Sequence, residues 1–171
     1  MASQDGGRTV ALSRQLSLAH DELRRLIDDL KHDLKDDLKS GAGHRRTGGG
    51  RTLAAHCLAF CGALEAHHRG EDEGLFAQLV RERPDLAGTV AKLVEDHGMI
   101  SSILTRVAEL ARQAATTGDR GADEAVRREL DGLAAIMESH FRYEERVIGA
   151  ALDRTVPDGD WPERVFRPVR T

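Results

Sequence analysis

The chain has 171 residues, of which 40% are apolar and 32% are charged, with a formal net charge of −4. This length suits one domain with its own core, and a mean hydropathy of −0.45 is typical of a soluble globular protein. The acidic balance argues against general nucleic-acid binding, which needs a basic surface. The sequence contains no apolar run long enough to span a membrane, and its first residues do not resemble a secretory signal.

Apolar residues recur every three or four positions through most of the chain, the spacing of helices that bury one face. Four long helices are predicted, over residues 10–38, 52–81, 86–115 and 123–152. We expect an all-α, up-down-up-down four-helix bundle over residues 10–152. Residues 1–9 are expected to be a flexible N-terminus and residues 153–171 a short C-terminal tail.

The breaks between these helices carry loop residues. A glycine-rich stretch at 40–51 separates the first two helices, and the segment 116–121 separates the last two. Pro84 ends the second helix, and Asp85 is expected to cap the third. The tail contains Trp161 and could cover the bundle or a dimer partner.

The chain has eight histidines against six aromatic residues. The apolar stripe of each predicted helix contains one of them, in chain order His20, His67, His97 and His140. In the second and fourth helices a carboxylate follows four residues later, at Glu71 and Glu144, and lies one turn further along the same face. Burying these six groups unsatisfied would cost several kcal/mol each, so a pair of metal ions is expected between them.

The two halves of the chain repeat this pattern, because HHRGEDEGL and HFRYEERVI align with Glu71 matching Glu144. The repeat predicts that His20 and His67 bind one metal while His97 and His140 bind the other. Glu71 and Glu144 would bridge the two metals. Nitrogen and oxygen donors without thiolate suit iron, with manganese or zinc as less favoured choices. An oxo or hydroxo bridge would leave about one position on each metal for water, dioxygen, peroxide or nitric oxide.

Four stretches, AHDELRRLI, HHRGEDEGLF, EDHGMISSIL and HFRYEERVI, together resemble the hemerythrin family in its bacterial histidine–histidine–glutamate cation-binding branch. The resemblance runs from about Leu16 to Ala151. It implies a non-haem diiron centre in a four-helix bundle that binds dioxygen or related small oxidants. Ferritin-like bundles are the rival architecture, but they use Glu-x-x-His motifs and more carboxylates.

The sequence departs from the dioxygen carriers of that family at Ser101, where a carrier has a second histidine on the third helix. We therefore expect an open coordination site beside Ser101, which favours peroxide or nitric-oxide chemistry, sensing or substrate oxidation over simple carriage. The residues expected to wall this pocket are apolar: Leu23, Ile27, Leu64, Ile100, Leu104 and Val147.

Several neighbouring residues have two interpretations. His68 and Asp72 are expected to point about 100° away from the ligands, or else to replace His67 and Glu71 in a shifted register. Glu22, Glu95 and Asp96 could orient ligand imidazoles or be solvated charges. His56 could line a channel or pack behind the ligands, whereas His32 and His44 are expected on the surface. Cys57 and Cys61 could sense redox state or be buried apolar residues.

Three functions remain open at this stage. The first is a diiron protein that binds dioxygen, peroxide or nitric oxide, with catalase-like or peroxidase-like turnover as an extension. The second is an iron or oxygen sensor that changes its contact with a protein partner. The third is a diiron oxidase of an organic substrate. Two cysteines are too few for a disulfide framework, and a cytoplasmic location follows most simply.

Overall fold

The computed structural model describes residues 11–39, 49–155 and 163–166, and helices account for nearly all of them. The elements in chain order are α1 (Leu12–Lys39), α2 (Gly49–Gly70), a π-helical turn (Glu71–Leu75), α3 (Phe76–Glu82), a 3₁₀ turn (Pro84–Leu86), α4 (Ala87–Thr117), α5 (Arg120–Thr155) and α6 (Glu163–Phe166). The prediction of an all-α four-helix bundle is confirmed.

The four long helices form a ring in which each one packs against two others. Helix α1 packs against α2 and α5, and α4 packs against the same two helices from the opposite side. Two apolar clusters fill the interior. The larger apolar cluster includes Leu23, Ile27, Leu30, Leu34, Phe60, Leu64, Ile100, Leu104, Leu130, Leu133 and Phe141. The smaller apolar cluster includes Leu12, Leu16, Leu75, Phe76, Leu79, Val90, Leu93, Ile148, Leu152 and Val165.

The order of residues along each helix places a polar layer between these two clusters. On α1, His20 lies between Leu16 of the smaller cluster and Leu23 of the larger one. On α4, His97 lies between Leu93 and Ile100 in the same way. The bundle therefore encloses its polar groups between apolar layers.

Several helix ends differ from the predictions. Asp85 does not cap α4, which begins at Ala87 without a side-chain cap. The Asp85 carboxylate instead accepts hydrogen bonds from Arg83 at 2.6 and 2.8 Å. Helix α4 ends at Thr117 and is followed by Gly118, whose φ of 60° favours glycine. Helix α5 begins at Arg120 rather than at residue 123, and runs to Thr155.

The tail and the loops are described in part. The short helix α6 packs against α1 and α2, so this part of the tail covers the bundle, as one of the two interpretations expected. The predicted flexible residues 1–9, the glycine-rich loop through residue 48, His44 and Trp161 lie outside the described residues. Among the described helices, none is both long and apolar enough to cross a membrane.

Candidate metal centre

Seven polar side chains are buried in the layer between the two apolar clusters. They are His20, His67, His68, Glu71, His97, His140 and Glu144. Six of these were predicted to lie together in the core, and all six do. The seventh, His68, was expected to point away from the site, and that expectation was wrong.

The five imidazoles fall into two groups. The two-histidine group, His20 and His67, lies with Glu71, and one ligand atom from each of the three lies within 4.8 Å of the others. The three-histidine group, His68, His97 and His140, satisfies the same distance. Within it, the Nε2 atoms of His97 and His140 are 3.0 Å apart.

Glu71 lies between the two histidine groups. Its Oε1 atom is 3.0 Å from Nε2 of His67 and 3.8 Å from Nε2 of His20. Its Oε2 atom is 3.6 Å from Nε2 of His97. The two oxygens of this one carboxylate therefore face different histidine groups.

Glu144 lies between the same two groups on the opposite helix. Its Oε2 atom is 3.7 Å from Nε2 of His20 and 3.5 Å from Nε2 of His140. The α2 motif and the α5 motif thus each place a carboxylate between the groups, as the sequence repeat predicts.

Several oxygen and nitrogen atoms of this layer have no hydrogen-bond partner among the described residues. Among the described residues, both oxygens of Glu71, both oxygens of Glu144 and Nε2 of His20 and His68 are buried without a hydrogen-bond partner. Each such atom costs about 1–3 kcal/mol. Burial raises the pKa of Glu71 to about 8. Burial and the adjacent charge of Glu71 raise the pKa of Glu144.

His20, His68 and His140 are displaced toward their neutral form. Burial and the neighbouring His67 lower the pKa of His20 well below its usual value. Burial and the charge of His97 lower the pKa of His68, and they lower that of His140 to about 4. A neutral imidazole has a free nitrogen lone pair, which is the form that binds a metal.

These donors fit a pair of metal ions. Ligand atoms about 2.1 Å from one metal lie about 3 Å apart when adjacent and about 4 Å apart when opposite. The distances from the two carboxylates to the histidines, 3.0–3.8 Å, lie in that range, as does the 3.0 Å between His97 and His140. A cation in each group would satisfy the buried oxygen and nitrogen atoms that the protein leaves without partners.

Carboxylates hydrogen-bond the outer nitrogens of two histidines, and a carboxylate lies near that of a third. Nδ1 of His20 hydrogen-bonds Glu145 at 2.8 Å, and Nδ1 of His97 hydrogen-bonds Asp72 at 2.7 Å. Nδ1 of His140 lies 3.5 Å from Asp96. A carboxylate on Nδ1 fixes the tautomer that leaves the lone pair on Nε2, facing the centre.

These contacts decide between the interpretations of the nearby acids. Asp96 does lie beside a site histidine. Among the described residues, neither Glu22 nor Glu95 is paired with one. Glu71 faces both histidine groups, whereas Asp72 hydrogen-bonds the outer nitrogen of His97, a contact that was missed. Glu145 was missed too, although both acids directly follow a motif glutamate.

His67 is held differently. Its Nδ1 atom donates a hydrogen bond of 2.7 Å to the main-chain carbonyl oxygen of Val165, on α6. The two residues are 98 positions apart. The C-terminal segment therefore contacts a residue of the two-histidine group directly.

The sequence repeat extends to the packing around the centre. Phe141 stacks on His20 with ring centroids 3.9 Å apart and planes 7° apart. His68, at the matching position of the other motif, stacks on His97 at 4.0 Å and 8°. The same packing position thus holds a phenyl ring in one half and an imidazole in the other.

Helix α2 passes into its π-helical turn at Glu71, three residues after His68. A π turn follows a different register from an α-helix and is frequent at functional sites. Helical periodicity alone placed His68 about 100° from the ligand face. The signal that could have found it is the repeat itself, because its partner Phe141 is an apolar residue.

The residues expected to wall the pocket are mostly buried beside the centre. Leu23, Ile27, Leu64, Ile100 and Leu104 belong to the larger apolar cluster. Val147 is only partly buried and packs against the smaller cluster. Ser101 is also only partly buried.

The remaining candidates lie away from the centre. His32 is exposed and lies 3.3 Å from Asp36, as expected of a surface residue. His56 is 59% exposed, which rules out packing behind the ligands. Cys57 and Cys61 are free and buried. Burial raises their pKa to about 12 and about 11, which supports an apolar role and disfavours a reactive thiolate.

Comparison with known families agrees with this geometry. Residues 11–152 match the hemerythrin HHE cation binding domain. This span covers most of the chain, including all seven buried polar residues, and the chain belongs to that family. Searches among the curated proteins and among the solved structures found no match. The protein is therefore a four-helix cation-binding domain of the hemerythrin type.

Proposed function

We propose that this chain is a non-haem diiron protein that binds dioxygen, peroxide or nitric oxide. The observation that carries the proposal is the placement of Glu71, whose two carboxylate oxygens face different histidine groups. A carboxylate in that position suits a bridge between two metals. The family description supports cation binding, and the nitrogen-rich donor set favours iron.

Under this proposal His20 and His67 hold one iron, and His97 and His140 hold the other, together with His68. Glu71 and Glu144 bridge the pair. When bound, the two irons would supply one-electron redox chemistry and positions for small oxidants. Manganese or zinc would fit the same donors but is less favoured by them.

His68 changes where the exchangeable position is expected. With it, the three-histidine group offers three nitrogens and the two-histidine group offers two, while both share the two carboxylates. The less saturated position then lies on the side of His20 and His67, and not beside Ser101. Small ligands would therefore bind on the α1–α2 side of the centre.

The chain's own residues prepare this site in two ways. The apolar clusters above and below the polar layer exclude bulk water, which strengthens every charge interaction inside it. Glu145, Asp72 and the Val165 carbonyl each accept a hydrogen bond from an outer histidine nitrogen. They therefore keep the inner nitrogens unprotonated and aimed at the centre.

The test is metal analysis with an optical spectrum. Purified protein loaded with ferrous iron without air should contain two irons per chain, and exposure to air, hydrogen peroxide or nitric oxide should change its visible absorption. His20→Ala should abolish the nitric-oxide change, whereas His32→Ala, an exposed histidine on the same helix, should preserve it. A wild-type protein that binds iron but shows no change with any of the three ligands contradicts the proposal.

A second candidate function is oxidation of an organic substrate. A groove of about 940 Å³ lies between α4 and α5, and His140 forms part of its wall. Tyr143 and Ile136 also line it. This candidate predicts dioxygen uptake that depends on an added organic compound, and uptake unaffected by any such compound would count against it.

A cytoplasmic location also remains a proposal. It is supported by the two free, buried thiols of Cys57 and Cys61, because reduced cysteines are typical of that compartment. Localisation of the tagged full chain by cell fractionation would test it.

A further inference from the structure

The contact between α6 and His67 differs from the contacts of the other site histidines. His20, His97 and His140 each face a carboxylate carried by α5, the π turn or α4. His67 instead donates its Nδ1 proton to a neutral carbonyl on a segment that follows the bundle. The partner on the Nδ1 side of His67 therefore lies outside the four long helices.

The docking of α6 has a clear physical basis. The Val165 side chain is completely buried and belongs to the smaller apolar cluster. Phe166 packs partly against the same cluster. Helix α6 packs against both α1 and α2, the two helices that carry His20 and His67.

We propose that α6 is a positioning segment for the two-histidine group, acting through the Val165 carbonyl and the burial of the Val165 side chain. Docked, it locks His67 with its proton on Nδ1 and its Nε2 lone pair directed inward. Released, it lets His67 rotate and take up the other tautomer, and it opens the α1–α2 side of the centre. The expected effect of α6 on metal retention rests on the proposed function, but the orientation of His67 can be tested in the metal-free protein.

The first test concerns the metal-free protein. Val165→Asp places a charge in the apolar cluster and should release α6, while Val165→Ala should weaken its docking. The control is Val90→Ala, which shortens a buried valine of the same cluster on α4. Nitrogen-15 NMR of the histidine side chains should show His67 protonated on Nδ1 in the wild type and in Val90→Ala. In Val165→Asp the proton should move largely to Nε2.

The second test concerns metal retention. In the iron-loaded protein, Val165→Asp should release one of the two irons to a chelator about 10-fold faster or more, the usual effect of losing a partner of a metal-bound histidine. The second iron should be released at the wild-type rate. Val165→Ala should give a smaller change in the same direction, and Val90→Ala should leave both rates unchanged.

The two proposals fail in different ways. A wild-type protein that takes up no iron defeats the metal pair, yet the NMR comparison still decides whether α6 positions His67. An unchanged His67 tautomer in Val165→Asp overturns the positioning role. Equally faster release of both irons to the chelator also overturns the positioning role, because α6 would then act only through the general stability of the fold.

Discussion

The two histidine groups arise from one repeated motif but are not equivalent. Both motifs supply a histidine, a carboxylate four residues later and an acid directly after it. They differ at the second position, where the α2 motif has His68 and the α5 motif has Phe141. Both rings stack on the histidine of a facing helix at almost the same distance. The ring packing is therefore the same in both halves. The difference between His68 and Phe141 gives one group three nitrogens and leaves the other with two.

The groups also differ in their outer partners. Carboxylates hold His97 and His20, whereas a main-chain carbonyl from α6 holds His67. The three-histidine group offers more nitrogen atoms and is held within the bundle. The two-histidine group offers fewer and contacts the C-terminal segment, and under the proposed function we expect ligand exchange there.

The largest expected effect is the loss of a shared carboxylate. Glu71→Ala should remove both irons rather than one, because this side chain contacts both histidine groups. Glu65→Ala is the matched control, since Glu65 is an exposed glutamate on the same helix. Metal content after gel filtration measures the effect, and a Glu71→Ala protein with one or two tightly held irons would argue against the bridge.

In the metal-free protein the buried carboxylate of Glu71 should destabilise the fold, although the same carboxylate is expected to retain metal. The pKa of Glu71 is raised to about 8 in the folded state from an ordinary value of 4.5. Because the unfolded protein ionises this carboxyl more readily, the free energy of unfolding falls as pH rises from about 4.5 toward 8. Glu71→Gln should therefore increase the free energy of unfolding of the metal-free protein, more at pH 8 than at pH 5. Urea denaturation at the two pH values checks this, and an equal change at both would refute it.

Exchanging the residues that distinguish the motifs should alter one group at a time. His68→Phe keeps a ring stacked on His97 but removes its nitrogen donor. We expect it to weaken retention of one iron by about 10- to 100-fold and to leave the other unchanged. Phe141→His is the reciprocal variant and should strengthen retention in the two-histidine group. Chelator competition distinguishes the two irons, and unchanged retention in His68→Phe would show that His68 only packs.

Smaller effects are expected from the outer carboxylates. Asp72→Asn should weaken retention of the iron in the three-histidine group by about 10-fold. Glu145→Gln should weaken retention of the iron in the two-histidine group by about the same factor. Each variant serves as the control for the other, because the two acids occupy matching positions of the repeat. If both variants weakened the same iron, the assignment of histidines to groups would be wrong.

The sequence predicts much of this arrangement because helical periodicity is a local property. The apolar stripes placed His20, His67, His97 and His140 on inward faces, and the four-residue spacing placed Glu71 and Glu144 beside them. The periodicity did not find His68, because this residue lies about 100° from His67 on the same α-helix and faces the other histidine group instead of solvent. It also could not reveal the carbonyl of Val165, because a contact across 98 residues depends on the packing of the tail.

The central claim is that the two histidine groups and two shared carboxylates bind a pair of metals. Its most direct test is a titration of the metal-free protein with ferrous iron in the absence of air, followed by removal of unbound metal. The account predicts saturation at two irons per chain. Saturation at one iron, or no retained iron, would contradict it.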